Sequence, residues 1–256
     1  MRTNAEMIAN LDPFGPPLIA DMDTGYGGTY HLFSTPPEIW HRTDISIILG
    51  PLMVAKSVQQ YIQAGVAGFH IEDQILNKRC GHLAGKRVVS LEEYLARIRA
   101  AKFTKDRLGS DIVLIARTDA LQQHGYDECI RRLKAARDIG ADVGLLEGFT
   151  SKELARQAVQ DLAPWPLLLN MVENGAGPVI TTAEAKEMGF RIMIFSFACL
   201  APAYLGIKNA LERLKVEGRT GIPEGLGPKH LFEVCGLMDS VRIDAEAGGD
   251  AFANGV

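Results

Sequence analysis

Short runs of Ile, Val and Leu recur along the chain: PLIADMD (17–23), GVAGFHIED (65–73), DIVLIARTD (111–119), ADVGLLEG (141–148), PLLLNMVE (166–173) and FRIMIFSF (190–197). Each is almost continuously apolar, the pattern of a strand in a parallel sheet covered on both faces. Between them lie stretches of helical character: SLEEYLARIRAAKF, YDECIRRLKAARDIG, SKELARQAVQDL and TTAEAKEMG. Ser90, with Glu93 three positions on, predicts a capping box at the first of these. QAGVAG and DIGAD both predict a helix that closes on a glycine before the next strand. Strand alternating with helix predicts an α/β fold with parallel strands.

The six runs end alike, on Asp21 and Asp23, Glu72 and Asp73, Arg117 and Asp119, Glu147, Asn170 and Glu173, and Ser196. Polar groups at the C-terminal ends of parallel strands mark the active-site face of a (β/α)8 barrel. A doubly wound sheet concentrates them near one switch point, so contributions from every strand favour the barrel. The segment 29–50 interrupts this rhythm between DTGYGG and the helix predicted from PLMVAKSV. It holds His31, His41, Trp40 and the pair Pro36-Pro37 without an amphipathic period, and reads as a foreign insertion, as translated intron sequence would. The pattern predicts a catalytic domain over 1–217 and a C-terminal helical segment with a flexible tail over 218–256, where DAEAGGDAFANGV turns glycine-rich.

Composition narrows the partners. The chain has 256 residues, is 47% hydrophobic and carries a net charge of −4, which suits a sizeable core and argues against nucleic acid. No run of 18 apolar residues predicts a membrane span, and MRTNAEMIANLDPFGPP lacks the apolar centre of a secretory signal. Cys80, Cys129, Cys199 and Cys235 are widely spaced, with no CxxC pair, which fits a reducing compartment and no structural zinc site. A cytoplasmic enzyme is expected, or a mitochondrial one if a preceding segment carries a transit peptide.

Candidate chemistry lies at the strand ends. Asp21 and Asp23, two apart on a strand, should point to one side. Paired carboxylates there suit a hard cation such as Mg2+, and equally suit an acidic strand end with a helix N-cap. Gly25, Gly27 and Gly28 permit a sharp turn behind them, and Glu72 adds an acid on the next strand. Within QILNKRCGHLAG (74–85), Lys78, Arg79 and His82 flank Cys80 and favour its thiolate, for proton shuttling or nucleophilic attack. The loop holding it is long enough to close over a substrate. Cys129, Cys199 and Cys235, in apolar or helical surroundings, read as structural. Arg117 can grip a carboxylate with two hydrogen bonds, or pair with Glu147 or Asp119. Glu147 and Asn170 complete a polar lining, and His70 reads as a satisfied core histidine.

With these motifs in view, the chain resembles the isocitrate lyase/phosphoenolpyruvate mutase superfamily. DMDTGYGG, AGVAGFHIEDQ, NKRCGHLAGKRVVS, LIARTDA, GADVGLLEG and NMVENGAGP match the family's consecutive motifs over roughly 1–28 and 51–215. KRCGH is similar to the branch of 2-methylisocitrate lyases, oxaloacetate hydrolases and dimethylmalate lyases. The resemblance implies a (β/α)8 barrel of which about six strands are present, the family's first two βα units being missing before PLIADMD. It also implies a homo-oligomer, a tetramer, acting on a di- or tricarboxylate. The implied cofactor is Mg2+, with Mn2+ as a substitute, bound directly by Asp23 and through water by Asp21 and Glu72. Cys80 would be the acid/base of a C–C bond cleavage, with Lys78 and His82 as its supports. Arg117 would hold a substrate carboxylate, with Glu147 and Asn170 as further polar contacts and Gly81 beside them. The activity implied is a Mg2+-dependent lyase acting on a 2-hydroxy-tricarboxylate or substituted malate; the alternatives are oxaloacetate hydrolysis, for which Ser196 would be a discriminating contact, a phosphonate mutase or hydrolase, and an inactive truncated homologue.

Overall fold

A computed structural model describes residues 1–12, 14–26, 44–253 and 255, with backbone alone for 44–49. Gly27, Gly28 and the part of the expected insertion that holds His31, Pro36-Pro37, Trp40 and His41 lie outside the described residues. All six expected strands are present: β1 (Ile19–Asp21), β2 (Gly68–Glu72), β3 (Val113–Thr118), β4 (Val143–Leu146), β5 (Leu168–Asn170) and β6 (Ile192–Ile194). The helices that accompany them are α1 (Arg2–Ala9), α2 (Asp44–Gln63), α3 (Leu91–Arg107), α4 (Leu121–His124), α5 (Tyr126–Ile139), α6 (Lys152–Leu162) and α7 (Thr182–Met188).

Every strand lies beside its predecessor. β1, β2, β3 and β4 form one parallel sheet in chain order, and β5 pairs with β6 in parallel. A single parallel bridge, Gly144 to Leu167, joins β4 to the start of β5. A doubly wound sheet must reverse direction at a switch point; this one steps one way throughout, the winding of a (β/α) barrel.

Two lanes of side chains run along the strands with period two. One lane faces the helices. Ala20, Phe69, Ile71, Leu114 and Ala116 pack with Val54, Val58 and Tyr61 of α2 and Tyr94 and Ile98 of α3. Leu146, Leu167 and Leu169 pack with Leu133 of α5, Leu162 of α6 and Met188 of α7. The opposite lane, Ile115, Val143, Leu145 and Leu168, is joined by Ile19 of β1 and by Ile192 and Ile194 of β6. First and last strands packing on one small cluster requires the sheet to curl, with this lane inside. Gly68 fits there because a Cβ would lie 3.2 Å from that of Val113 and 3.6 Å from Ile19.

Local details correct the sequence reading. Asp44 to Gly50, the end of the expected insertion, form one helix with PLMVAKSV through Pro51, whose missing N–H leaves one ladder bond unmade. Ser90 does cap α3 by accepting from the Glu93 N–H at 3.2 Å, but the Glu93 carboxylate binds Arg97 instead of closing the box. The complete capping box is at α7, between Thr181 and Glu184. Gly140 ends α5 with φ 113°, as DIGAD predicts.

Compact units divide after Ser196, giving Met1–Ser196 and Phe197–Val256. The second holds α8 (Leu200–Glu217), α9 (Pro228–Val234) and α10 (Leu237–Glu246). The boundary expected at 217/218 therefore moves ahead of α8, which groups with the later helices. Part of the expected tail is helical, since α10 runs through Glu246.

Candidate active site

The inward lane delivers the polar groups. Two residues beyond Ile19, His70, Ile115, Leu145, Leu168 and Ile194 stand Asp21, Glu72, Arg117, Glu147, Asn170 and Ser196. Strand periodicity carries them to the inner side at the C-terminal end of the sheet. Asp73, one residue out of phase, is buried in a separate network with Thr118 Oγ1 at 2.6 Å and Arg132 Nη1 at 3.1 Å.

The acidic half of the site is built on β1 and β2. Asp23 lies beyond the end of β1 with φ 50°, so simple alternation does not align it with Asp21. Instead Asp21 Oδ1 accepts the Asp23 N–H at 2.8 Å, an Asx turn that supports the left-handed residue. Two tyrosines brace this corner, half-buried Tyr26 and buried Tyr61 donating to the Asp21 carbonyl at 2.5 and 2.6 Å. Lys78 Nζ contacts Asp23 Oδ1 and lies 3.5 Å from Glu72 Oε2. Burial opposes its charge, but Asp23, Glu72 and Asp21 outweigh this and hold the ammonium protonated. Burial pushes the Glu72 carboxyl up to about 8, with Asp119 and Asp21 adding to the shift and Arg117 and Lys78 opposing it. Glu72 Oε1 is buried without a hydrogen-bond partner.

His70 is buried as expected but not satisfied, because its Nδ1 has no hydrogen-bond partner. Burial lowers its pKa, opposed by Asp21, whose Oδ1 lies 3.5 Å from Nδ1. Among the described residues, no three His, Cys, Asp or Glu side chains are grouped closely enough to hold a metal. Asp23 and Glu72 converge on Lys78, while Asp21 turns to its own loop.

Arg117 is buried and forked on Asp119, with Nε to Oδ2 at 2.8 Å and Nη2 to Oδ1 at 3.0 Å. The structural pairing weighed for this residue is therefore present. Arg117 also lies 3.4 Å from Glu72 and 3.9 Å from Glu147, while its Nη1 makes none of these contacts. Glu147 accepts from Asn170 Nδ2 at 3.2 Å on each oxygen, and Asn170 Oδ1 accepts from Ser196 at 2.8 Å. Burial would raise the Glu147 pKa, but His82, Arg117 and Asn170 overcome it and hold the carboxyl down at about 2.

The Cys80 loop folds over this row. Its His82 Nδ1 accepts from the Ala176 N–H at 3.2 Å, which leaves the ring proton on Nε2. That nitrogen lies 3.2 Å from Glu147 Oε1, too bent for a full hydrogen bond. At Gly81 a Cβ would fall 2.6 Å from Glu147 Cγ, so only glycine lets the loop close this far. Gln74 holds the loop base, exchanging hydrogen bonds with both backbone groups of Arg79 at 2.9 and 3.0 Å.

Cys80 is exposed on this loop, and the cations expected to surround its thiol are committed elsewhere. Lys78 serves Asp23 and Glu72, Arg79 donates to the Ala84 carbonyl, and His82 faces Glu147. Cys129 is buried, but Cys199 and Cys235 are exposed, against the expectation of structural roles, because α8 and α9 bury none of their residues. Sequence reasoning missed Tyr26, Tyr61, Gln74 and Lys86, whose functions are hydrogen bonds to backbone carbonyls or amides and leave no motif of acids or nucleophiles.

Carboxylates, an arginine and a loop-borne thiol at the inner C-terminal end of a one-way parallel sheet define a (β/α)-barrel enzyme of acid chemistry. The chain belongs to the phosphoenolpyruvate phosphomutase family, whose model matches residues 49–215, within the isocitrate lyase/phosphoenolpyruvate mutase superfamily of (β/α)8 barrels. It is 32% identical to a 2-methylisocitrate lyase of Halalkalibacterium halodurans, over 89% of this chain and 68% of that one. A solved oxaloacetate acetylhydrolase, bound to the inhibitor 3,3-difluorooxalacetate, superposes with a TM-score of 0.88 at 65% identity, over 98% of this chain and 77% of that one. A 2,3-dimethylmalate lyase superposes with a TM-score of 0.87 at 56% identity, over 100% of this chain and 77% of that one. The homologues are characterised lyases and hydrolases of this superfamily, and the chain is an enzyme of that group.

Proposed function

We propose that the protein cleaves the carbon–carbon bond of oxaloacetate by hydrolysis, releasing oxalate and acetate. The observation that carries this reading is Ser196, which ends the inner lane of β6 and donates to Asn170 at 2.8 Å, placing a hydroxyl beside the site. The 65% identity to an oxaloacetate acetylhydrolase supports it. A lyase acting on a substituted malate or 2-methylisocitrate is the second reading, favoured by the 56% identical dimethylmalate lyase and the 32% identical methylisocitrate lyase.

In the reaction, water adds to the ketone carbon and the bond to the neighbouring methylene breaks. The electron pair goes to the methylene carbon, which takes a proton to become acetate, while the former ketone carbon leaves in oxalate. Cys80 is the proton donor of this scheme, brought over the site by a loop that Gln74 and His82 fasten. Arg117 orients a substrate carboxylate through its remaining N–H groups. Glu147, held ionised, fixes Asn170 and through it the Ser196 hydroxyl.

Two of the expected residues fit a divalent cation, since Asp23 and Glu72 converge on one position while Asp21 is engaged by its own loop. All donors are oxygens, Glu72 Oε1 is buried without a partner, and the position between Asp23 and Glu72 already attracts the Lys78 ammonium. Asp23 and Glu72 would hold Mg2+, or Mn2+ in its place, with Asp21 supporting Asp23 through the Asp23 N–H. Such an ion supplies positive charge to oxygens that become anionic during cleavage.

The test is purified protein with Mg2+ and, in parallel, oxaloacetate, 2-methylisocitrate and 2,3-dimethylmalate, with products separated chromatographically. Oxalate and acetate in equal amounts from oxaloacetate are expected. Pyruvate with succinate from 2-methylisocitrate, or pyruvate with propionate from 2,3-dimethylmalate, without oxalate, would establish the lyase reading instead.

A further inference from the structure

One buried cation has no part in the scheme above. Lys86 is only 6% exposed, and an ammonium is rarely buried so far without dedicated partners. Its Nζ donates to the Gly81 carbonyl and lies 3.8 Å from Asp119 Oδ1. Gly81 is the residue after Cys80 and rests against Glu147. Asp119 is the carboxylate that grips Arg117 with two hydrogen bonds. A single side chain therefore links the tip of the Cys80 loop to the partner of the arginine.

We propose that Lys86 is a positioning residue for Cys80, its ammonium fastening the Gly81 carbonyl to Asp119 so that the loop tip is held over the Arg117 clamp. The consequence for function rests on the reading of Cys80 as the proton donor; the tether itself does not. The other fastenings lie elsewhere on the loop. Gln74 secures the base at Arg79, and Arg79 Nη1 closes the loop on itself at Ala84. His82 anchors the descending limb to Ala176. The Leu83 N–H donates to the Cys80 carbonyl at 2.9 Å within the loop, and Lys86 supplies the one side-chain hydrogen bond to Cys80 or Gly81 among the described residues. It also explains why an apolar residue would not serve at this position: the Gly81 carbonyl needs a donor, and backbone acceptors buried without one are costly.

Lys86→Met tests this, since methionine matches the length of the aliphatic stem and Asp119 keeps both bonds to Arg117, so no carboxylate is stranded. Displacement of a reacting group by about 1 Å costs on the order of a hundredfold in rate, so kcat for oxaloacetate should fall by about that factor while KM changes less than about threefold. Without any ligand, trypsin should cut after Arg79 about tenfold faster than in the wild type, because cleavage follows the open population. An unchanged kcat in an active wild-type background, or an unchanged cutting rate, would overturn the tether. Should Lys86→Met fail to fold, the wild type decides. Reductive methylation should spare Lys86, whose side chain is 4% exposed, and modify Lys208, which is 50% exposed; equal labelling of the two overturns the assignment. A wild type that makes no oxalate would refute the oxaloacetate reading, leaving trypsin and methylation to judge Lys86.

Discussion

At the scale of single residues, Cys80 and Glu147 show how neighbours decide a role. The chain has four cysteines, and Cys80 alone lies on a loop folded over the inner strand ends. Cys80→Ala is expected to lower turnover by at least about a hundredfold, the lower range for removing a general acid. Its Mg2+ affinity, measured by calorimetry, should stay within about twofold, since no contact joins Cys80 to Asp21, Asp23 or Glu72. Full turnover by Cys80→Ala would exclude it as the proton donor. Glu147 gives a stability prediction with a definite sign. Burial raises its pKa, and His82, Arg117 and Asn170 more than reverse this, from 4.5 to about 2. A carboxyl depressed on folding stabilises the protein above its unfolded pKa and loses that contribution as pH falls through the folded one. The size is on the order of 3 kcal/mol. In urea unfolding, the wild type should exceed Glu147→Gln by most near pH 5 and above, and the gap should close as pH falls from about 4.5 toward about 2. A gap that does not change with pH would mean that Glu147 acts through packing alone.

At the scale of elements, β4 and β5 meet where the sheet is weakest in hydrogen bonds, at one bridge between Gly144 and Leu167. Gly144 has no side chain to spare: a Cβ would fall 2.3 Å from Trp165 Cζ3 and 2.7 Å from Leu167 Cδ2. The indole fills the room the glycine leaves and donates to the Ala141 carbonyl at 3.0 Å. Gly144→Val should therefore destabilise by about 1–3 kcal/mol, the usual cost of overpacking, seen as a lower urea midpoint with unchanged slope. An unaltered midpoint would show that Trp165 moves aside freely. The strands themselves were legible in the sequence because each apolar run is long and ends on a polar residue. Their two-lane character was not, since both lanes are apolar when helices cover one face and a barrel interior the other. Asp73 and Glu72 are neighbours in HIED, yet one belongs to the Arg132 network and the other to the site. Asp23 was misplaced for a different reason. The pairing with Asp21 assumed a strand, whereas an Asx turn puts Asp23 at φ 50°. The charged surroundings of Cys80 were legible as composition but not as contacts, because long cationic side chains reach whichever acid lies nearest across the fold.

At the scale of the whole molecule, the one-way order of the strands brings six inner-lane residues from distant parts of the chain to one end of the sheet. It does so whether or not the intervening loops are long. The units differ sharply in how they treat apolar side chains. In Met1–Ser196 the large hydrophobics of the strands and α2 to α7 are mostly enclosed. In Phe197–Val256 none of α8, α9 and α10 buries a residue, and Tyr204, Ile207, Leu211, Phe232, Val234 and Ile243 are all exposed. Soluble proteins rarely leave contiguous apolar faces of this kind in water. No helix among the described residues is long and apolar enough to cross a membrane. Self-association, in line with the homo-oligomer that the motifs imply, removes that surface from water at about 25 cal/mol per Å2. Light scattering at micromolar concentration should thus report a mass that is a multiple of 27.9 kDa. Leu211→Glu, which sets a charge among the exposed apolar side chains of α8, should shift the population toward the single-chain mass. It should do so while the far-ultraviolet circular dichroism stays constant, because a surface glutamate is well tolerated in a helix. A wild type that runs as a monomer at these concentrations would show that the exposed helices serve some other partner.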